Sequence, residues 1–115
     1  MKKLTFIYCD LNKLAYQDTY PLKNRVVLGE IKKAYGEITD KMQIWIYSDT
    51  FKNGKFDPMV YPGIIYKLGS EYDLRVDKED MKYLSESEKF RDYSVVDIIG
   101  RESFETMNKE HPKWF

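Results

Sequence analysis

The sequence predicts an α+β domain: a mixed or mostly antiparallel sheet of four to five strands, with two to three helices packed mainly on one face. Three observations carry that expectation. Short runs rich in β-branched and aromatic residues recur at Leu4–Cys9, Met42–Tyr47, Ile64–Leu68 and Tyr72–Val76. Two other stretches, 24–38 and 102–109, place apolar residues at helical spacing. The chain has 115 residues, 43% of them hydrophobic, which suits a single domain with its own core.

Leu4-Thr5-Phe6-Ile7-Tyr8-Cys9 reads as a buried strand, stopped by Asp10-Leu11-Asn12. Leu11, Leu14 and Ala15 then suit a turn or two of helix. Tyr20-Pro21 limits it, because proline pushes its predecessor toward extended geometry, so a loop with a short helix is expected over 11–21. Val27, Ile31, Ala34 and Ile38 share one helical face and favour a helix over Asn24–Ile38. Gly29 and Gly36 each cost about 1 kcal/mol relative to alanine within a helix, which keeps a strand over Arg25–Ile31 open. In the run Met42–Tyr47, Met42, Ile44 and Ile46 point one way, while Gln43, Trp45 and Tyr47 point the other.

Asn53-Gly54, flanked by Phe51 and Phe56, is a tight-turn signal, for a hairpin tip or an exposed loop. Pro62-Gly63 opens the extended run Ile64–Leu68, Gly69-Ser70 turns the chain, and Tyr72–Val76 returns as a half-exposed partner strand. Asp77 reads as the N-cap of a helix with Met81 and Leu84 on its apolar face. The segment 93–99 supports two readings, a helix with a Ser94/Asp97 capping box or a β-branched strand. A last helix over Glu102–Lys109 turns Phe104 and Met107 inward and ends at His111-Pro112, leaving Trp114-Phe115 in need of a place to pack.

The same composition excludes several functions. Nineteen basic and nineteen acidic residues give no net charge, which weighs against a nucleic-acid coat protein. Cys9 is the only cysteine, so there is no intramolecular disulfide and no cysteine zinc site. No apolar run approaches the roughly 20 residues of a membrane span. The run after Met1-Lys2-Lys3 is too short for a secretory signal, so a cytoplasmic protein with no membrane partner is expected. The six glycines are isolated, with no phosphate-binding loop among them, and His111 is the only histidine.

Two constellations remain. The first is aromatic. Tyr16, Tyr20, Phe51, Phe56 and Tyr61 fall where loops are expected, Trp45 and Tyr47 share one strand face, and Arg25 lies between them in sequence. Such side chains offer large contact area at low entropic cost. They point to a small non-enzymatic binding protein of the inhibitor, immunity or sequestering type. Its expected partner is a protein or a nucleotide ligand, and a homodimer is a further option. Lys13, Lys23, Lys32 and Lys33 interleave with some of these rings, but the zero net charge disfavours nucleic acid. The second constellation is acidic. Asp10 and Asp49 each follow a strand, and Glu30 lies between them in sequence. On neighbouring strands running the same way, such carboxylates would hold Mg²⁺, the alternative being a Mg²⁺-dependent nuclease or phosphodiesterase. No cofactor is expected on the first reading.

Overall fold

The structure is a computed structural model and describes residues 3–10 and 19–115. It is α+β, with a mixed six-stranded sheet and three α-helices. The strands in chain order are β1 (Phe6–Tyr8), β2 (Thr19–Pro21), β3 (Met42–Ser48), β4 (Phe51–Lys52), β5 (Lys55–Phe56), β6 (Met59–Leu68), β7 (Glu71–Val76) and β8 (Lys82–Tyr83). The helices are α1 (Arg25–Tyr35), α2 (Val95–Ile99) and α3 (Arg101–Glu110). Across the sheet the order is β1-β3-β6-β7-β2, with β8 also paired to β6. The strands exceed the expected number because β2 and β8, of three and two residues, escape a reading based on periodicity.

One pairing is parallel. β1 lies beside β3 in the register Phe6–Trp45, Ile7–Ile46, Tyr8–Tyr47, and α1 makes part of the crossover between them. Among the described residues all the other pairs are antiparallel. The helix reading of 24–38 holds: Asn24 caps α1 by accepting from the Val26 N–H, Ile31 is fully buried, and the helix stops at Gly36. A Cβ at Gly29 would meet nothing within 4 Å, so packing does not require glycine there.

Both faces of the sheet are covered. Ile7, Ile44, Ile46, Tyr61, Ile65 and Leu74 point to one side, where they meet Ile31 with Val27 and Leu28 of α1. Phe6, Trp45, Tyr47 and Val60 point to the other, where α2 and α3 bring Ile98, Ile99, Phe104 and Met107. Two of the three helices thus share one face. Phe90 centres this second core, edge-on to Phe6 at 5.1 Å and to Trp45 at 4.9 Å between ring centroids.

Pro62 sits inside β6 without breaking it. The Trp45 N–H turns away from β6 to the Tyr35 hydroxyl, so Trp45 and Pro62 face each other without exchanging hydrogen bonds. The missing N–H of Pro62 therefore lies on the other side, in the gap between β7, which begins its pairing at Gly63, and β8, which pairs at Met59 and Val60. At Gly63 a Cβ would come within 2.4 Å of Ile46 Cδ1 and 2.6 Å of Leu74 Cδ1, so any larger residue requires those side chains to shift.

Two local expectations are corrected. Tyr20-Pro21 is not loop but part of β2, and proline is acceptable there because β2 is an edge strand; the expected short helix at Leu11–Ala15 lies outside the described residues. Asp77 does cap, accepting from the Glu79 N–H, yet the chain makes only a single 3-10 turn after it, then β8, then another 3-10 turn over Leu84–Glu86. The Leu84 N–H donates to the Pro58 carbonyl, so pairing with β6 overrides the local helical preference. The open segment 93–99 resolves as helix α2, with both halves of the Ser94/Asp97 capping box in place. Asn53-Gly54 forms the hairpin tip between β4 and β5, with positive φ at both residues.

Candidate functional site

Among the described residues β1 is the last strand on one side of the sheet, and its peptide groups alternate. The Cys9 N–H donates inward to the Tyr47 carbonyl at 3.0 Å. In a parallel ladder the flanking residues turn the opposite way, so the N–H and C=O of Phe6 and Tyr8 point out of the sheet. α1 rises on one side of this edge and α2–α3 on the other. Between them runs a cleft of about 470 Å³. Its floor is Thr5–Tyr8 with Tyr47, one wall is Glu30, Lys33 and Ala34, and the other is Ile99 and Ser103. Tyr8 is 43% exposed and its ring lies 5.4 Å from that of Tyr47.

The parallel β1–β3 pair also brings Asp10 and Asp49 to the same end of the sheet, since each residue follows its strand. Ligands of α/β units gather at such carboxyl ends of parallel strands. Burial, and then the negative charge of Asp10, raises the Asp49 carboxyl above the usual aspartate range. Burial is also the main cause that raises the phenols of Tyr8 and Tyr47, with Asp49 adding to both and Glu30 adding to Tyr47. Among the described residues the charges around this end are Asp10, Asp49 and Glu30, with Lys33 the cation in the cleft wall. Among the described residues no group of three or more His, Cys, Asp or Glu side chains is placed to hold a metal ion.

The other end of β1 is fastened by Tyr35, the last residue of α1. Its hydroxyl donates to the Thr5 carbonyl and accepts from the Trp45 N–H, bridging β1 and β3 just before their ladder begins. Beneath the cleft, the Ser48 hydroxyl donates to the Cys9 carbonyl and meets the Tyr61 hydroxyl, so a buried strand-to-strand link spans β1, β3 and β6. Cys9 itself is 2% exposed and burial pushes its thiol up to about 11. That thiol belongs to the core, not to a reactive site.

The candidate residues separate. Tyr47, Glu30, Asp10 and Asp49 converge on the β1 edge and its carboxyl end. Trp45 is half-buried under Phe90, with the Lys89 ammonium 5.4 Å from its ring. Two placements are corrections: Phe56 is a buried strand residue at 4% exposure, and Tyr61 is sealed at 0% in the middle of β6, so neither is a loop side chain. Phe51 remains 45% exposed but packs edge-on against Trp114 at 4.8 Å. Tyr20 is half-buried on β2 against the first core, and Arg25 is exposed at the start of α1. Tyr16 lies outside the described residues. Tyr8 and Ser103 are site residues that sequence reasoning missed, and Lys33 enters that reasoning only as one of the basic residues interleaved with the rings. Phe6/Tyr8 alternation was visible, but nothing local says that β1 is the last strand of its sheet.

No protein family, curated protein or solved structure matches this chain. Among the described residues no helix is long and apolar enough to cross a membrane.

Proposed function

We propose that this is a small binding protein that holds a polypeptide target along the open edge of β1, acting by occupancy and not by turnover. This is the inhibitor, immunity or sequestering class. The observation that supports it most directly is the edge itself: outward-facing peptide groups of Phe6 and Tyr8 at the floor of a cleft walled by two helical elements. The mostly acidic surroundings disfavour a bare nucleotide, whose phosphates would be repelled. The test is a photocrosslinking amino acid in place of Tyr8, with a control at exposed Lys67 near the end of the central strand β6. Polypeptide adducts specific to position 8 are expected in cells. Equal labelling at both positions would defeat the reading.

The alternative, Mg²⁺-dependent phosphodiester chemistry, draws on the shared location of Asp10 and Asp49. It predicts Mg²⁺-dependent hydrolysis of a nucleic-acid substrate that Asp10→Asn and Asp49→Asn each abolish in a folded protein. Turnover that survives both substitutions would exclude it.

A further inference from the structure

We infer that the segment received by this cleft is an extended strand carrying a lysine or arginine, paired with β1 through its backbone and directed by that cation to the Asp49 carboxylate at the carboxyl end of the edge. The inference rests on the reading of the β1 edge given above and adds the chemistry of the partner.

Three features lead to it. The first is backbone pairing. Phe6 and Tyr8 each present an outward N–H and C=O, two residues apart, which is the spacing an added strand needs. From Phe6 to Asp10 the strand and its exit span about 13 Å at roughly 3.3 Å per residue, so four or five residues of a partner would cover it. The second is the shape of the cleft. Its walls stand on both sides of the edge, Ala34 and Lys33 against Ile99 and Ser103, and leave a slot rather than an open plane. A strand fits a slot along an edge, while a helix, about 10 Å across with its side chains, does not reach the peptide groups at its floor.

The third feature is charge. Glu30 lines the cleft on the wall that also carries Lys33, Asp49 follows β3 beyond the carboxyl end of the edge, and both carboxylates act on the Tyr47 phenol. The half-exposed Tyr8 ring lies beside Tyr47, so a cation arriving there meets a carboxylate and an aromatic face together. An anionic partner would be repelled by these carboxylates, so a basic segment is the occupant that complements the site.

The experiment uses the full chain and three fluorescein-labelled hexapeptides of alternating threonine and valine with one central lysine. One is unmodified, one has glutamate for the lysine, and one carries N-methyl groups on alternate amides. Polarisation titrations should show saturable binding of the lysine peptide. Binding should be weaker by about tenfold or more for the N-methylated peptide, which has lost its backbone donors. The glutamate peptide and Asp49→Asn with the lysine peptide should each show a loss of about fivefold, the scale of a partly exposed ion pair. Equal binding of the N-methylated peptide would overturn strand pairing, and equal binding of the glutamate peptide would overturn the cation. Failure of all three peptides alongside adducts specific to position 8 would overturn this inference and leave the binding reading standing; failure of both assays would remove both. A concentration-dependent dimer that blocks the lysine peptide would assign the edge to a second copy and also overturn it.

Discussion

Gly63→Ala tests how tightly the first core is closed. The added methyl would meet Ile46 Cδ1 at 2.4 Å and Leu74 Cδ1 at 2.6 Å, both far inside van der Waals contact. These atoms are the ends of side chains, so they can shift, but Ile46 and Leu74 are 0% and 2% exposed and have little room to do so. Overpacking of this kind costs about 1–3 kcal/mol, and two simultaneous contacts place the expectation near 2 kcal/mol. With an unfolding entropy of about 2.1 cal/mol/K per residue, a 115-residue chain loses about 8 °C of Tm for that amount. Urea unfolding should show a lower midpoint with an unchanged slope. Ile46→Val removes the closer of the two colliding atoms and by itself costs about 1 kcal/mol. The double variant should therefore be less destabilised than the sum of the singles, by about 1 kcal/mol. A Gly63→Ala protein within about 0.5 kcal/mol of the parent, or strictly additive singles, would refute the reasoning, because either means the space beside Gly63 is not filled as described.

Three further outcomes are expected. Because the Asp49 carboxyl sits above its ordinary range when folded, its contribution to stability falls as pH rises through that raised value; Asp49→Asn should melt higher than the parent at pH 7, with the gap closing toward pH 3, and a gap that widens in acid would contradict this. Asp97 is the opposite case: the hydrogen bond from Lys3, then the backbone bond from Ser94, hold its carboxyl below the usual range, so it stabilises above the ordinary aspartate pKa and that gain is lost as pH falls further. Asp97→Ala should cost about 1–2 kcal/mol at neutral pH by thermal melting, with the penalty shrinking in acid. Cys9, with its thiol at about 11, should resist iodoacetamide in the folded protein and react promptly in urea, and fast native labelling would show that the strand beneath the cleft opens readily.

Much of the architecture can be read directly from residue pattern. The alternation in Met42–Tyr47, the Asn53-Gly54 turn, the α1 face of Val27 and Ile31, and the Ser94/Asp97 box all appear in the structure, because each depends on chemistry within a few residues. Tertiary pairing decided the rest. Lys82-Tyr83 is a strand only because β6 lies beside it, and Tyr20-Pro21 is one only because β7 does. Tyr61 looked like a loop aromatic because Pro62-Gly63 comes next, whereas the proline sits at a gap in pairing and the glycine accommodates its neighbours. The site was half legible. Asp10 and Asp49 were recognised as strand ends, but that their strands are adjacent and parallel depends on the crossover through α1, and the openness of the Tyr8 edge depends on the strand order of the whole sheet.

The opposing jaws of the slot come from distant stretches of chain: Lys33 and Ser103 face the same floor from positions seventy residues apart. Each rests on its own hydrophobic layer, one above and one below a shared sheet. Substitutions on one jaw therefore need no matching change in the other to keep the fold intact. On the proposed binding function, selectivity is adjustable along Glu30–Ala34 and along Ile99–Ser103 separately, so this small protein carries two independent handles on one slot.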